Sequence, residues 1–171
     1  MPLCQATVLP TRIGGLGVTV ASGAVTEVTF GAPLVPDHER NLDPVLRAAL
    51  AELVEYFAGD RTDFTVPTEF TRGSEFERAV WKQIASIPYG QTRTYGSIAH
   101  AVGEPGGAQA VGSACHRNPL PVIVPCHRVV GANGKLVGFG GGLPRKRFLL
   151  ELEARVWIEQ AFTGGLASDD R

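Results

Sequence analysis

The side chains best suited to chemistry fall in two adjacent pairs, Cys115-His116 and Cys126-His127. Three readings of Cys126 compete. It can be a buried free thiol, because an unreactive cysteine packs as a small apolar residue. It can be a zinc ligand, since Cys and His in fours are zinc's preferred company. An extended segment, however, sends Cys126 and His127 to opposite faces, and the spacing of the two pairs matches no usual paired-ligand pattern. It can also be a nucleophile, whose reactive thiolate needs a neighbouring base or a positive field. His127 can act as that base through a bridging water, with a carboxylate from another element holding its ring; Glu153 is the candidate.

The elements that must position these residues can be read from pattern and punctuation. Val122-Ile123-Val124 is an apolar run short enough for a buried strand delivering Cys126 at its end. Upstream, Ser74-Glu75-Phe76-Glu77 is a capping box, followed by Phe76, Val80, Ile84 and Ile87 on one helical face that ends at Pro88. Short helices are expected over 95–102 and 108–116, joined by Gly103-Glu104-Pro105-Gly106-Gly107 as a helix-turn-helix. The second holds small residues, Ala110, Gly112, Ser113 and Ala114, which permit close approach of another helix or of a nucleic-acid backbone. Asn133-Gly134 signals a turn, 135–139 a strand, and Pro144 the start of a last helix with Phe148, Leu149, Leu152 and Val156 on its buried side. Residues 1–70 read as a small α+β unit. Strands at Ala6–Leu9, Leu16–Val20 and Val25–Phe30 precede a helix capped by Asp43, with Leu46, Leu50, Leu53 and Phe57 at helical spacing until Gly59. Pro67–Gly73 is a plausible linker. The division expected is therefore 1–70 and 71–171, an α+β protein whose second part is mostly helical.

Composition and charge limit the function. With 171 residues, 44% apolar and 19% charged, the chain can bury a core without disulfides or a structural metal. It is neither a disordered tail nor a coiled coil. The net charge of −1 conceals an asymmetry: residues 1–70 carry −5, residues 71–155 carry +6 and the remainder −2. No acid occurs from Pro105 to Leu150, a segment holding Arg117, Arg128, Lys135, Arg145, Lys146 and Arg147. Such a run is either a surface facing phosphates or a solvated face balanced by the other half. Three cysteines and a first segment without a basic cluster ahead of an apolar run suggest reduced thiols in the cytoplasm.

The run Pro125-Cys126-His127-Arg128-Val129 resembles the active-site signature of the methylated-DNA:protein-cysteine methyltransferases, also called alkylguanine-DNA alkyltransferases. Ile87-Pro88-Tyr89-Gly90, Thr94-Tyr95-Gly96, Ala110-Val111-Gly112, Asn118-Pro119, residues 138–142, Lys146, Leu149-Leu150 and Glu153 are similar to family positions in family order. The resemblance covers residues 70–155 and, only in general shape, the first 70, for which it implies the family's small N-terminal α/β domain. It implies a repair protein that flips O6-alkylated guanine out of duplex DNA and takes the alkyl group irreversibly onto Cys126, once per molecule. It implies that His127 with a bound water deprotonates Cys126, that Glu153 orients His127 and that Asn118 stabilises the active-site turn. Tyr95 would donate to the departing guanine. Pro121 and Phe139 would wall the pocket, joined by Gly140, with backbone groups at Cys126 and Val129 reading the base edge. Thr94, Gly96, Gln109, Ala110, Gly112, Ala114 and Arg117 would meet DNA, the second helix lying in the minor groove. No cofactor, metal, membrane or protein partner is implied, and a monomer is expected.

Two departures from the family pattern stand out. Gln109 occupies a position that usually holds an arginine intruding into the duplex, and Phe139 stands where many relatives have tyrosine. Arg128 reads more simply as half of an internal ion pair than as a DNA contact. Lys146 reads as a DNA contact or a cap on the field near the last helix. Cys4 and Cys115 read as inert thiols, His116 as a surface residue at a helix end, and His38 and His100 as isolated. The rival functions are a lesion-binding module that transfers nothing and a zinc-containing DNA-binding regulator. A cysteine hydrolase has no use for a helix-turn-helix beside an acid-free segment.

Overall fold

The alternation of apolar residues at Leu16, Val18 and Val20 dictates a strand with one buried face, and all three are buried. In the computed structural model, which describes residues 4–34 and 41–166, this strand, β2 (Gly14–Ala21), is central in an antiparallel sheet. Its neighbours are β1 (Cys4–Thr11) and β3 (Ala24–Phe30). A register shift at Thr19/Val20 bends β3 against β2. His38 and Arg40 lie outside the described residues.

Helix α1 (Pro44–Ala58) begins as expected, with the Asp43 carboxylate accepting from Val45 and Leu46 N–H, and ends at Gly59 in the left-handed region. Its buried face is the expected one, widened to Ala49 and Tyr56. Leu46, Ala49, Leu53 and Tyr56 are buried, whereas Leu50 and Phe57 are half-buried. Glu52 is also buried, its carboxylate accepting from Thr65 and Val66 N–H and from the Thr65 hydroxyl, which ties down the loop after α1. The expected linker is likewise pinned: Thr68 bridges Val25, with Val25 N–H donating to Pro67 O at 2.8 Å and Glu69 N–H to Val25 O at 3.0 Å.

The capping box at Ser74 and Glu77 starts α2 (Glu75–Ala85), which buries Val80, Trp81 and Ile84. Then come β4 (Arg93–Thr94), α3 (Tyr95–Ala101) and α4 (Ala108–His116), the two short helices forming the expected helix-turn-helix. Trp81 Nε1–H donates to Ala114 O at 2.7 Å, fastening α4 to α2. Ala114 is therefore a packing residue: it is 1% exposed and does not face outward toward DNA.

The segment between α4 and the cysteine is not a strand. Residues 119–124 are a succession of turns with Val122 at φ +73°, a conformation a β-branched side chain rarely adopts. Asn118 holds it, donating from Nδ2 to Val124 O (2.8 Å) and accepting Leu120 N–H at Oδ1 (3.0 Å). Cys126–Arg128 form a 3-10 turn, followed by β5 (Val129–Val130), which pairs in parallel with β4. Residues 135–139 are likewise irregular, and Ala132–Gly134 form a second 3-10 turn. The last helix, α5 (Leu143–Leu166), buries Leu149, Leu152 and Val156, while Phe148 is half-buried.

One cluster of buried residues runs from Leu16 of β2 to Val156 of α5, so both halves of the chain share a core. Among the bonds that stitch the halves are Val28 N–H to Pro119 O (2.8 Å) and Arg145 Nε to Ile13 O (2.9 Å). Replacing Trp81 with Phe keeps most of the packing but orphans the Ala114 carbonyl. Urea unfolding is expected to report a loss of about 1–3 kcal/mol; a change below about half a kcal/mol would mean that the bond does not fasten α4.

Candidate active site

Cys126 stands at the start of the 3-10 turn, 4% exposed. The parallel pairing of Arg93 with Val129 and Thr94 with Val130 fixes this turn beside the start of α3. Thr94 caps α3 by accepting Ser97 N–H at 3.0 Å, which places Tyr95 next to the turn. Cys126 and Tyr95 thereby line one pocket of about 650 Å³, completed by Ala108, Gln109, Gly112, Ser113, Cys115 and His116 of α4 and by residues 137–140. This volume suits a small-molecule-sized group. Four of these α4 residues, Ala108, Gly112, Ser113 and Cys115, are small, and a Cβ on Gly112 would come within 4.0 Å of the Tyr95 ring.

His127, next in the same turn, is fully buried and is not among the residues lining the pocket. Its Nε2 is hydrogen-bonded to Glu153 Oε2, and its Nδ1 is buried without a partner. Cys126 and His127 lie in a 3-10 turn and not in the extended segment on which the argument against zinc relied. Among the described residues no group of three or more His, Cys, Asp or Glu could hold a metal.

Glu153 is the hub. Its Oε2 also accepts the Tyr56 hydroxyl (2.7 Å), and its Oε1 accepts Arg128 Nε (2.6 Å) and Gly90 N–H (3.2 Å). Arg128, as expected, serves an internal ion pair; its Nη1 donates to Ile87 O at 2.7 Å and its guanidinium lies 5.4 Å from the Tyr89 ring centre. Burial alone would raise the Glu153 pKa, but the bonds and charges of His127 and Arg128 overcome it and hold the carboxyl at about 2. Burial dominates at His127 and keeps its pKa below the ordinary imidazole value despite Glu153.

Lys146, expected as a DNA contact or a cap on the field near the last helix, faces the interior. It is fully buried, with Nζ donating to Val129 O (2.6 Å), Tyr95 Oη (3.2 Å) and Val137 O (3.3 Å). Burial depresses its pKa, offset by Cys126 and Cys115. Burial also dominates at Cys126 and raises its thiol pKa, although Asn118, Lys146 and neighbouring backbone N–H groups pull it down. Tyr95 is pushed up to about 12, first by burial and then by the two cysteines. Its hydroxyl lies 3.0 Å from Val137 O and 3.2 Å from Gly138 O.

Several expected site residues sit elsewhere. Pro121 is buried and does not line the pocket, and Phe139 walls it from the other side. Val129 is buried too: its N–H donates to Cys126 O, and its carbonyl accepts from Lys146 Nζ with a second lone pair left over. Gln109 is exposed at the pocket rim; Gly96, Ala110 and Arg117 are exposed away from its lining, and Arg117 approaches Glu77 at 3.7 Å. Of the six cations in the acid-free segment, Arg128 and Lys146 point inward and Arg145 is half-buried over the Phe30 ring, leaving Arg117, Lys135 and Arg147 exposed. Tyr56 and Gly90, both bound to Glu153, were not expected at the site. No local signal marks a tyrosine whose partner is 97 residues away.

Comparison with known proteins places the chain. The family described as 6-O-methylguanine DNA methyltransferase, DNA binding domain, matches residues 75–155. The methylated-DNA–protein-cysteine methyltransferase of Mycolicibacterium paratuberculosis is 55% identical over 107 residues, 63% of this chain and 64% of that protein. The alignment thus spans under two thirds of that relative's length. The protein of the same name from Methanosarcina acetivorans is 50% identical over 119 residues, 70% of this chain and 76% of its own. Mycobacterium tuberculosis OGT, solved in complex with DNA, superposes with a TM-score of 0.77 at 42% identity, covering 88% of this chain and 93% of that one. The chain belongs to the methylated-DNA–protein-cysteine methyltransferase family.

The titrations make stability pH-dependent. His127 has a folded pKa below its unfolded value, so its contribution is present above about 6.5 and is lost as pH falls through the lowered value. Glu153 contributes fully above its unfolded pKa of about 4.3 and loses that contribution as pH falls toward about 2. Unfolding free energy should therefore decline in two stages on acidification. His127→Gln is expected to remove the first, and its persistence in that variant would assign it to another group.

Proposed function

We propose that the protein repairs duplex DNA by transferring the alkyl group of an O6-alkylated guanine to Cys126. The observation that carries this reading is one buried cysteine lining a pocket rimmed by a helix-turn-helix, with the adjacent histidine tied to an ionised carboxylate. A thiol in this setting attacks a saturated carbon in line with its leaving group: the S–C bond forms as the O6–C bond breaks. With Nε2 committed to Glu153, His127 accepts the thiol proton at Nδ1 by way of a bridging water, as the family resemblance implies. The departing guanine takes a proton or hydrogen bond from Tyr95, which its raised pKa keeps protonated, once the hydroxyl exchanges its carbonyl partners for the base. The thioether product has no route back to thiol, so each molecule acts once and needs no cofactor.

A base inside a duplex cannot reach Cys126, so the nucleotide is extruded at a cost of roughly a few kcal/mol. In this reading α4 enters the minor groove with Ala110 and Gly112 against the backbone, Gln109 fills the space of the extruded base, and Thr94, Gly96 and Arg117 flank the strand. Asn118 and Lys146 hold the reacting turn. Residues 1–70 support residues 71–171 as one folded body. Monomeric action in a cytoplasmic, reducing compartment suits the three free cysteines, one of them exposed. No described helix is long and apolar enough to cross a membrane.

Mixing the protein with a duplex carrying one O6-methylguanine is expected to add one methylene to its intact mass, confined to Cys126 and absent with Cys126→Ser or an unmodified duplex. Lesion-selective binding without mass gain would instead make it a sensor, and neither binding nor gain would reject the reading. Gln109→Arg is expected to tighten duplex binding and steepen its salt dependence by about one unit of log–log slope. Unchanged binding and repair rate would exclude residue 109 from the extrusion.

A further inference from the structure

Tyr56 comes from the first half of the chain, on α1, yet its hydroxyl reaches Glu153 Oε2 at 2.7 Å, the oxygen that also meets His127 Nε2. The side chain is fully buried and its ring is fixed by Phe57, Phe64 and Tyr89, with centroids 5.4, 5.5 and 6.2 Å away. Such packing leaves the hydroxyl a single direction. The other carboxylate oxygen is held by Arg128 and Gly90, so without Tyr56 only the His127 bond would define Oε2.

We propose that Tyr56 is a positioning residue for alkyl transfer, acting through Glu153 to hold the carboxylate in the orientation that leaves His127 Nδ1 as the free ring nitrogen. The inference rests on reading Cys126, His127 and Glu153 as one reacting group. The titratable and charged groups around that pair are Tyr56 from α1, Tyr89 from the loop after α2, Cys126 and Arg128 from the turn, and Lys146 from α5. A donor on Oε2 draws charge away from the carboxylate, so His127 is a weaker base and is neutral at lower pH than it would be facing an unshared carboxylate. Burial above all, then the charge and bond of Glu153, raises the Tyr56 pKa well above the usual phenol value, so the donor persists across the working range.

The test measures alkylation of Cys126 by iodoacetamide in the full chain from about pH 5 to about pH 9, read by peptide mass so that Cys4 and Cys115 are followed separately. Tyr56→Phe keeps the ring and removes the donor. It is expected to move the acid limb of the Cys126 profile up by about half a pH unit, leaving the Cys4 profile in place. In a Glu153→Gln background the same change is expected to alter the rate less than about twofold, because its route of action is gone. Phe64→Leu loosens the ring packing but keeps the hydroxyl, and is expected to move the limb by less than Tyr56→Phe does. An unmoved limb in Tyr56→Phe, an equal effect in the Glu153→Gln background, or an equal shift in Phe64→Leu would each overturn the proposal. Iodoacetamide needs no DNA, so a failure of transfer from duplex DNA is seen separately from a failure of Tyr56 to position Glu153.

Discussion

A carboxylate 1% exposed, carrying full charge, is the constraint on which the rest of this structure depends. An unpaired buried charge costs several kcal/mol, so Glu153 requires donors on both oxygens. It finds four, from Tyr56 of α1, Gly90 of the loop after α2, and His127 and Arg128 of the active-site turn. Satisfying one side chain of α5 therefore brings three other parts of the chain together and fixes the turn that carries Cys126.

The electrostatics around the sulfur follow from the same burial. A surface cysteine in a positive field would rest as thiolate and react with whatever it met. Here desolvation outweighs Lys146, and the thiol pKa is raised. Lys146 itself is turned from the solvent and spent on two carbonyls and the Tyr95 hydroxyl. A thiol pKa raised by burial makes reaction at this sulfur depend on a base beside it. His127, with one nitrogen committed and the other bare, is arranged as that base.

Legibility in the sequence tracked the range of the interactions. Local rules carried the three strands of the first sheet, the Asp43 and Ser74 caps and both helices of the helix-turn-helix, because each depends on neighbours within a few residues. The Cys-His-Glu constellation was legible from motif and resemblance. Val122-Ile123-Val124 reads as a strand by composition, but Asn118 spends its side chain on Leu120 and Val124 and folds the run into turns. The acid-free segment reads as a phosphate-facing surface, yet two of its cations are consumed inside, one by Glu153 and one by backbone carbonyls. Tyr56 stands outside the apolar spacing of Leu46, Leu50, Leu53 and Phe57 read for α1. Its partner lies in the last helix, and no local pattern encodes a contact of that span.

The claim at the centre of this account is that His127 is neutral and protonated on Nε2, leaving Nδ1 free to take a proton. Nitrogen-15 spectra of the protein labelled at histidine, recorded at neutral pH, test it directly, with His127 assigned by its loss in His127→Gln. The account predicts a protonated Nε2 and a bare Nδ1 with the shift of an unprotonated ring nitrogen. An Nδ1–H tautomer, or an imidazolium with both nitrogens protonated at neutral pH, would contradict it.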